Sequence, residues 1–531
     1  MERELIIFTD SGDTIIDEST QIYDDRQIVQ KADFIPGADK ALVALHEKGY
    51  RIALVADGEL ESFQNVYREN GLGHIFEEWI ISEVVGKQKP EPIMFETALE
   101  KMHLGVEDKK RIVMIGNNLK KDIAGANRQG MISIWLDWSP RYFHTVEEPD
   151  WQPDYTVHTP EELVELLDQI NEQLVVEKKI NALVKAFTPI LYEDDEVFLE
   201  NMKGHNLAGD DIRLYQHWEW TQGVGLYGYW KLFKNTKEQK YLNVLTEFYD
   251  KAIETGFPAM NINTTAPYLA MAFIGEYLSE AKYLEPCRRA AKWLMEEAPR
   301  TAEGGFQHLT SDTLNESELW DDTLFMAVLF LAKMGTIENN KDYIAEAQYQ
   351  FMLHANYLSD KVSGLWYHGW SFNDKNNFAG AFWGRGNCWV TMAIPELLSI
   401  VDCDDAVKKH LINLLNKQVD SLVKYQDESG MWHTLIDDAD SYVEASATCG
   451  FAYGIMRAVH MGLLPEKYME SAKKALAPII SYISDDGVVS QVSYGTPMGR
   501  TTKDFYKNIK IQPMPYGQAL AILFLMESKA K

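Results

Sequence analysis

The sequence predicts two architectures in series. Residues 1–172 read as an α/β domain with a parallel, Rossmann-like sheet, and residues 178–531 as an all-α (α/α)6 barrel. Two observations carry this. In the first part, short apolar strands alternate with helical patterns, and polar residues gather at the strands' C-terminal ends, where parallel sheets bind ligands. In the second, strand patterns nearly vanish, and six small-residue-rich apolar helical runs alternate with amphipathic ones bearing Lys and Glu. A chain of 531 residues is also too long for one ordinary domain.

Leu5 to Phe8 is the first strand and ends in Thr9-Asp10-Ser11-Gly12-Asp13-Thr14. Phe34-Ile35-Pro36-Gly37-Ala38 opens a helical pattern that runs to Leu45. Arg51 to Val55 is a second strand, ending in Ala56-Asp57-Gly58. Gly86-Lys87-Gln88-Lys89-Pro90-Glu91-Pro92 precedes another helix. Arg111 to Ile115 is a third strand, ending in Gly116-Asn117-Asn118-Leu119-Lys120-Lys121-Asp122-Ile123. This region resembles the haloacid dehalogenase-like superfamily. Asp10 matches its nucleophile, Lys89 its motif lysine and Asp122 a metal ligand, so the resemblance implies a magnesium ion on Asp10 and Asp122. There are departures. Gly12 stands where a second aspartate would protonate the leaving group, Ala56 replaces the second motif's hydroxyl residue, and Asn117 replaces the first acid of the last motif. Loss of a general acid removes a factor of roughly 10²–10⁴. Asp13 reads as a turn residue. A degenerate site with a structural or ligand-sensing role is therefore expected ahead of a working phosphatase.

Pro149-Asp150-Trp151-Gln152-Pro153 is a turn-rich join, and Glu161 to Phe187 reads as one or two bridging helices. Six apolar runs follow: Trp218 to Phe233, Asn263 to Leu278, Glu318 to Gly335, Phe382 to Val401, Glu444 to Met461 and Tyr516 to Glu527. Between them lie amphipathic helices, Tyr241 to Thr255, Lys282 to Ala298, Asp342 to Tyr357, Val407 to Tyr425 and Lys467 to Ile483. Apolar helices alternating with amphipathic ones suggest an inner ring inside an outer ring. An open solenoid is the alternative. It does not explain why each inner run opens with aromatics and acids.

Those openings converge on one mouth. They supply Trp218, Trp220, Asn261, Asn263, Trp320, Asp321, Asp322, Trp383, Arg385, Asn387, Trp389, Glu444 and Ser446. The preceding loops add His308 and Trp366-Tyr367-His368-Gly369-Trp370. Fourteen tryptophans is a high count, and their concentration here suits sugar recognition. Arg385 and His368 suit a carboxylate on the sugar. Each member has a plain structural reading as well: a lone Trp as core, His308 as a loop hydrogen-bonder, Glu444 as a cap, one of Asp321 and Asp322 as a cap. No close pair of His residues marks a metal site.

Residues from about 180 onward resemble glycoside hydrolase family 105, the unsaturated rhamnogalacturonyl hydrolases. The resemblance rests on Trp320-Asp321-Asp322-Thr323-Leu324, Tyr367-His368-Gly369-Trp370 and Trp383-Gly384-Arg385-Gly386-Asn387-Cys388-Trp389. Asn263-Thr264-Thr265-Ala266-Pro267 and Glu444-Ala445-Ser446 support it. Cys388 sits where the family has Gly, which reads as a packing change. The resemblance implies a small oligosaccharide substrate ending in a 4,5-unsaturated uronic acid, with galacturonyl expected, and hydration of its double bond without a cofactor. Asp322 is then the acid/base, and Asp321 a cap or a support behind it. Arg385 and His368 hold the carboxylate or hydroxyls, while Trp383, Trp389 and Trp218 or Trp220 stack on rings; Trp370, His308 and Asn263 complete the set. The alternatives are a bifunctional protein whose first domain is a weak phosphatase, and a non-catalytic sugar-binding or sensing protein.

A net charge of −29 argues against nucleic acid and anionic membranes as partners. Cys287, Cys388, Cys403 and Cys449 are irregularly spaced and suit free thiols. No run of about 18 apolar residues marks a membrane span. The expected setting is cytoplasmic.

Overall fold

The computed structural model describes residues 2–530. The chain forms two compact units, Met1–Glu177 and Lys178–Lys531.

The first unit is built on a six-stranded sheet whose neighbouring strands all pair parallel. The spatial order is Glu78–Ile81, Arg51–Ala56, Ile6–Thr9, Ile112–Gly116, Ile132–Leu136 and Tyr155–Val157. Alternate side chains go to opposite faces. Ile7, Ile52, Leu54 and Val113 pack into one core, and Ile6, Phe8, Ala53, Ile112 and Met114 into the other. Both faces being covered is why these strands read as near-continuous apolar runs. Three strands beyond the sequence expectation complete the sheet: Glu78–Ile81, Ile132–Leu136 and Tyr155–Val157. They are short or carry polar residues, so their period is weak. Ile6–Thr9 lies between strands reached in opposite directions, and Asp10 follows directly at that switch point.

The second unit contains six inner helices. They are Trp220–Thr236, Pro267–Leu278, Leu329–Ile337, Gly384–Ile400, Ala445–His460 and Pro515–Ser528. Each packs on the next, and the last packs back on the first, so the ring closes. This is the barrel that the alternation of helix types predicts. Gln239–Thr255, Ala281–Glu296, Lys341–Leu358 and Asp405–Lys424 are outer helices. The fifth outer position is broken into Met469–Lys474 and Leu476–Tyr482. The bridging segment is one helix, Pro160–Ile190. Its Phe187 ring fills the space over Gly225, where a Cβ would stand 2.1 Å from it. Close inner-helix contacts depend on small residues. A Cβ at Gly450 would lie 2.5 Å from Cys388 Sγ, so Gly450 makes the room that Cys388 needs. All four cysteines are buried and unpaired. Among the described residues, no helix is long and apolar enough to cross a membrane.

The third inner segment differs from a plain helix. Glu318–Trp320 is a strand, paired antiparallel with Gly369–Ser371, and a π-helical turn at Leu324–Val328 precedes the α-helix. Such turns recur at functional positions.

At the other end of the ring, Glu396 is fully buried. Its carboxylate accepts from Lys231 Nζ at 2.8 Å, from Tyr453 Oη at 2.5 Å and from Tyr227 Oη. Arg457 Nε lies 3.5 Å away. Burial alone would raise the Glu396 pKa, but Lys231 and Arg457 outweigh it and hold it at about 2. The same burial pulls the Lys231 ammonium below its usual range, and Glu396 opposes that shift. The ionised pair is the arrangement these contacts favour, because Glu396 draws on two cations and two hydroxyls. Glu396→Ala leaves Lys231 buried and uncompensated, and should cost about 3–5 kcal/mol of unfolding free energy in a denaturant titration. The depressed carboxylate contributes stability above its unfolded pKa of 4.5 and loses it as pH falls toward about 2. In Glu396→Ala that part of the acid sensitivity should be absent.

Candidate functional site

The N-terminal ends of the inner helices, with the loops before them, enclose a cavity of about 990 Å³. Asn263, His308, Trp320, Asp322, Trp383, Arg385, Trp389 and Trp220 line it. Trp389 packs edge-on against Trp220, 6.0 Å between centroids, and Trp220 stacks on Tyr516 at 4.7 Å.

Asp321 and Asp322 leave the strand Glu318–Trp320 before the π turn. Neither oxygen of Asp321 has a hydrogen-bond partner, nor has Asp322 Oδ1. Asp321 therefore does not cap the helix that follows. The Asp322 side chain is 19% exposed and reaches the cavity, whereas Asp321 is fully buried behind it. Gly386 is required there, since a Cβ would lie 2.4 Å from Asp321 Oδ2. Burial raises the pKa of both acids, and for Asp321 the charge of Asp322 adds to it. Burial of two adjacent carboxyls in an apolar setting favours their protonated forms. His368 brings Nε2 to 4.0 Å from Asp322 Oδ1. Asp321, Asp322 and His368 have ligand atoms within 4.8 Å of one another, a set that one cation could also bridge.

The imidazoles are neutral. Burial holds His368 well below its usual range and pushes His308 down to about 3. His308 stacks on Trp320 at 4.5 Å and 8°, with Nδ1 against Thr323 Oγ1 at 2.8 Å. His368 packs edge-on against the same indole at 5.1 Å, and its Nδ1 meets Tyr506 Oη at 2.7 Å. Trp320 Nε1 donates to Glu318 Oε2 at 2.9 Å, which locks the ring.

Arg385 is buried. It donates to Ser493 Oγ (2.6 Å), Ser493 O (3.1 Å), Ser446 Oγ (3.3 Å), Tyr494 O (3.2 Å) and Thr496 Oγ1 (3.0 Å). Its guanidinium therefore organises the 493–496 loop, and it lies over Trp383 and Tyr516 at 4.9 and 4.7 Å. Glu444 caps its helix through Ala447 N at 2.6 Å.

Two expected residues lie elsewhere. Trp218 is buried in an aromatic core, stacked on Phe248 at 5.8 Å, with Nε1 donating to Thr264 O. Of the pair Trp218 and Trp220, only Trp220 lines the cavity. Trp370 pairs with Leu319 in the two-stranded sheet and packs on Tyr357, away from the cavity lining. Glu219 was not anticipated. It lines the cavity, accepts from Ser311 Oγ and faces the Asn263 amide, and burial pushes its pKa up to about 7. The signal was present in Trp218-Glu219-Trp220, an acid at an inner-helix opening like Asp322.

In the first unit, Lys89 Nζ lies 2.7 Å from Asp10 Oδ1 and 2.6 Å from Asp122 Oδ1. The second contact lacks hydrogen-bond alignment, and buried Asn117 Nδ2 has no partner either. A Cβ at Gly116 would fall 2.2 Å from Asp122 Oδ2, so the glycine makes the cradle. Asp10 and Asp122 offer the hard oxygen donors that fit a magnesium ion, which when bound would neutralise charge on a transferring anion.

Residues 195–530 match the family model Glycosyl Hydrolase Family 88, and residues 4–130 match that of the haloacid dehalogenase-like hydrolases. An unsaturated rhamnogalacturonyl hydrolase from Bacillus subtilis is 33% identical over 313 residues, covering 58% of this chain and 89% of its own. A solved structure described as a possible member of family GH105, from Klebsiella pneumoniae, is 41% identical. It covers 66% of this chain and 92% of its own, with a TM-score of 0.61. A glyceraldehyde 3-phosphate phosphatase from Pyrococcus abyssi is 34% identical over 105 residues, 20% of this chain and 42% of its own.

Glu219 should reveal itself by infrared difference spectroscopy as a protonated carboxyl that ionises near pH 7. That band should be missing from Glu219→Gln and retained in Asp322→Asn.

Proposed function

The chain belongs to Glycosyl Hydrolase Family 88, and on that premise we propose that its barrel removes a 4,5-unsaturated uronic acid from the end of short, lyase-generated oligosaccharides. One observation carries this reading: a buried carboxyl pair whose exposed member, Asp322, reaches a tryptophan-walled cavity. The similarity to the rhamnogalacturonyl hydrolase favours galacturonyl as the uronic acid.

The chemistry is hydration of a vinyl ether. Protonated Asp322 donates to C4 of the ring. Positive character develops at C5 and the ring oxygen. Water adds at C5 and gives its proton to the Asp322 carboxylate. The hemiketal opens, and the bond to the next sugar breaks. No displacement occurs at the anomeric carbon, so the carboxyl spacings of ordinary glycosidases do not apply. Burial favours the protonated form of Asp322, and the Asp322 charge pushes the Asp321 pKa higher still, so Asp321 is the harder of the two to ionise. Arg385 fixes the 493–496 loop at the rim and lends positive charge for the uronate. Trp220 and Trp389 offer ring faces, while Asn263 and Glu219 offer hydrogen bonds on the far wall.

The test follows the ultraviolet absorbance of the conjugated uronate with rhamnogalacturonan, glycosaminoglycan and ulvan disaccharides. The wild-type chain should bleach the rhamnogalacturonan product, and Asp322→Asn should lose roughly 10²–10⁴-fold in rate. The wild-type rate should fall as pH rises through the raised Asp322 pKa, since the acid form reacts. Bleaching of another disaccharide would move the substrate assignment. A folded wild-type chain that bleaches none would end the hydrolase reading.

A further inference from the structure

The first unit has a carboxylate, Asp10, whose Oδ1 is 2.7 Å from the buried Lys89 ammonium, at the C-terminal end of the central strand. A carboxylate nucleophile beside a buried cation and hard oxygen donors suits transfer of a phosphoryl group. Such a transfer to water also needs an acid for the departing oxygen, and position 12 cannot give one.

The space at Gly12 is filled by another residue. A Cβ built on Gly12 would stand 2.0 Å from Glu18 Oε1, 2.9 Å from its Cδ and 3.2 Å from its Cγ. The Glu18 carboxyl therefore occupies the volume that a side chain at position 12 would enter. Its placement is specified from several sides. Asp17 caps the short turn Glu18–Thr20. The Glu18 amide donates to Asp13 Oδ1 at 3.0 Å. Tyr142 Oη donates to Glu18 Oε2 at 2.9 Å, which leaves Oε1 directed at the Gly12 space. The neighbouring acids are committed elsewhere. Asp13 accepts from Ser139 Oγ at 2.5 Å and from Arg141 Nε at 2.7 Å, and Asp17 holds Ser19 and Arg141. Burial raises the Glu18 pKa, with the charges of Asp13 and Asp10 adding to it, which favours a proton on Glu18.

We propose that Glu18 supplies the proton-transfer carboxyl of a phosphomonoester hydrolase site formed by Asp10, Lys89 and Asp122. In the first step an Asp10 oxygen attacks phosphorus and the bond to the ester oxygen breaks. The electron pair leaves on that oxygen, which takes the Glu18 proton and departs as an alcohol. In the second, water attacks the aspartyl phosphate, the Glu18 carboxylate takes the water proton, and the bond from phosphorus to Asp10 breaks. Inorganic phosphate leaves, with Asp10 ionised and Glu18 protonated again. The assignment is independent of the barrel chemistry.

The full chain with magnesium is assayed on glycerol phosphate and 4-nitrophenyl phosphate, and acetyl phosphate is used to load Asp10. In the first turnover Glu18→Gln should slow alcohol release from the alkyl ester by roughly 10²–10⁴-fold and the nitrophenolate burst much less, since that leaving oxygen needs no proton, while the second step slows alike for both. Intact mass should show the phosphorylated chain accumulating in Glu18→Gln and absent from Asp10→Asn. Gly12 does not have a left-handed φ, so an Asp fits there once Glu18 is shortened. Gly12→Asp with Glu18→Ala should regain alkyl-ester turnover over Glu18→Ala alone. Equal first-turnover loss on both esters, unchanged turnover in Glu18→Gln, or a wild-type chain that neither releases phosphate nor forms the adduct would each overturn the proposal.

Discussion

A ring of six apolar helices has no register of its own, because apolar attraction lacks direction. In this barrel the direction comes from one buried acid. Glu396 sits on the fourth inner helix and draws Tyr227 and Lys231 from the first and Tyr453 and Arg457 from the fifth. A charge in that position is tolerable only when every partner is in place, so sliding or rotating any of the three helices is penalised. The cavity lies at the opposite ends of the same helices. Trp389 and Arg385 share the helix of Glu396, and Glu219 and Trp220 open the helix of Lys231. The geometry at the mouth thus depends on a hydrogen-bonded network far from it along the axes.

The mouth has its own order. Trp320 lies between two neutral imidazoles and is anchored through Glu318, which in turn meets Arg500. Neutral rings can pack on one indole, His308 face to face and His368 edge-on, where two imidazolium ions would repel, so burial of His308 and His368 is a condition of the wall and not an accident of it. Arg385 gives its donors to the loop at 493–496, and that loop borders the cavity. A guanidinium used this way fixes shape first and supplies charge second.

Much of this was legible in the sequence, for physical reasons that differ by element. The inner helices were readable because a helix buried on all sides must be apolar on all sides, as in Pro515–Ser528. Glu78–Ile81 and Tyr155–Val157 were not, since a strand of three or four residues has no measurable period. Asp322, Arg385 and Trp389 stood out in the sequence because polar and aromatic groups recur together at the starts of apolar runs, although each taken singly has a structural reading. Trp218 and Trp220 look alike in sequence. Only packing distinguishes the one that donates to Thr264 O from the one that faces the cavity. Trp370 was misplaced by strand alternation, which sends it to the face opposite its neighbours. Glu18 was invisible, because five residues, Asp13 to Asp17, separate it from the glycine whose space it fills.

The net charge of −29 makes an anionic ligand look an unlikely guest for this chain. Local protonation removes the difficulty. Glu219 has its midpoint near 7, so it carries only part of a charge at neutrality. Burial raises the pKa of both Asp321 and Asp322, and the Asp322 charge raises that of Asp321 further. Arg385 remains a cation, paired loosely with Glu444 at 3.8 Å. Burial thus reduces the negative charge at Asp322 and Glu219, although Glu193, Asp194, Asp195, Glu196 and Asp312 also line the cavity, and the same desolvation strengthens what attraction Arg385 exerts. Burial that primes Asp322 as a proton donor is then also what admits a carboxylate beside it. A mutation that let water into the mouth would weaken both at once, since each rests on the low polarity of the Trp220, Trp320, Trp383 and Trp389 wall.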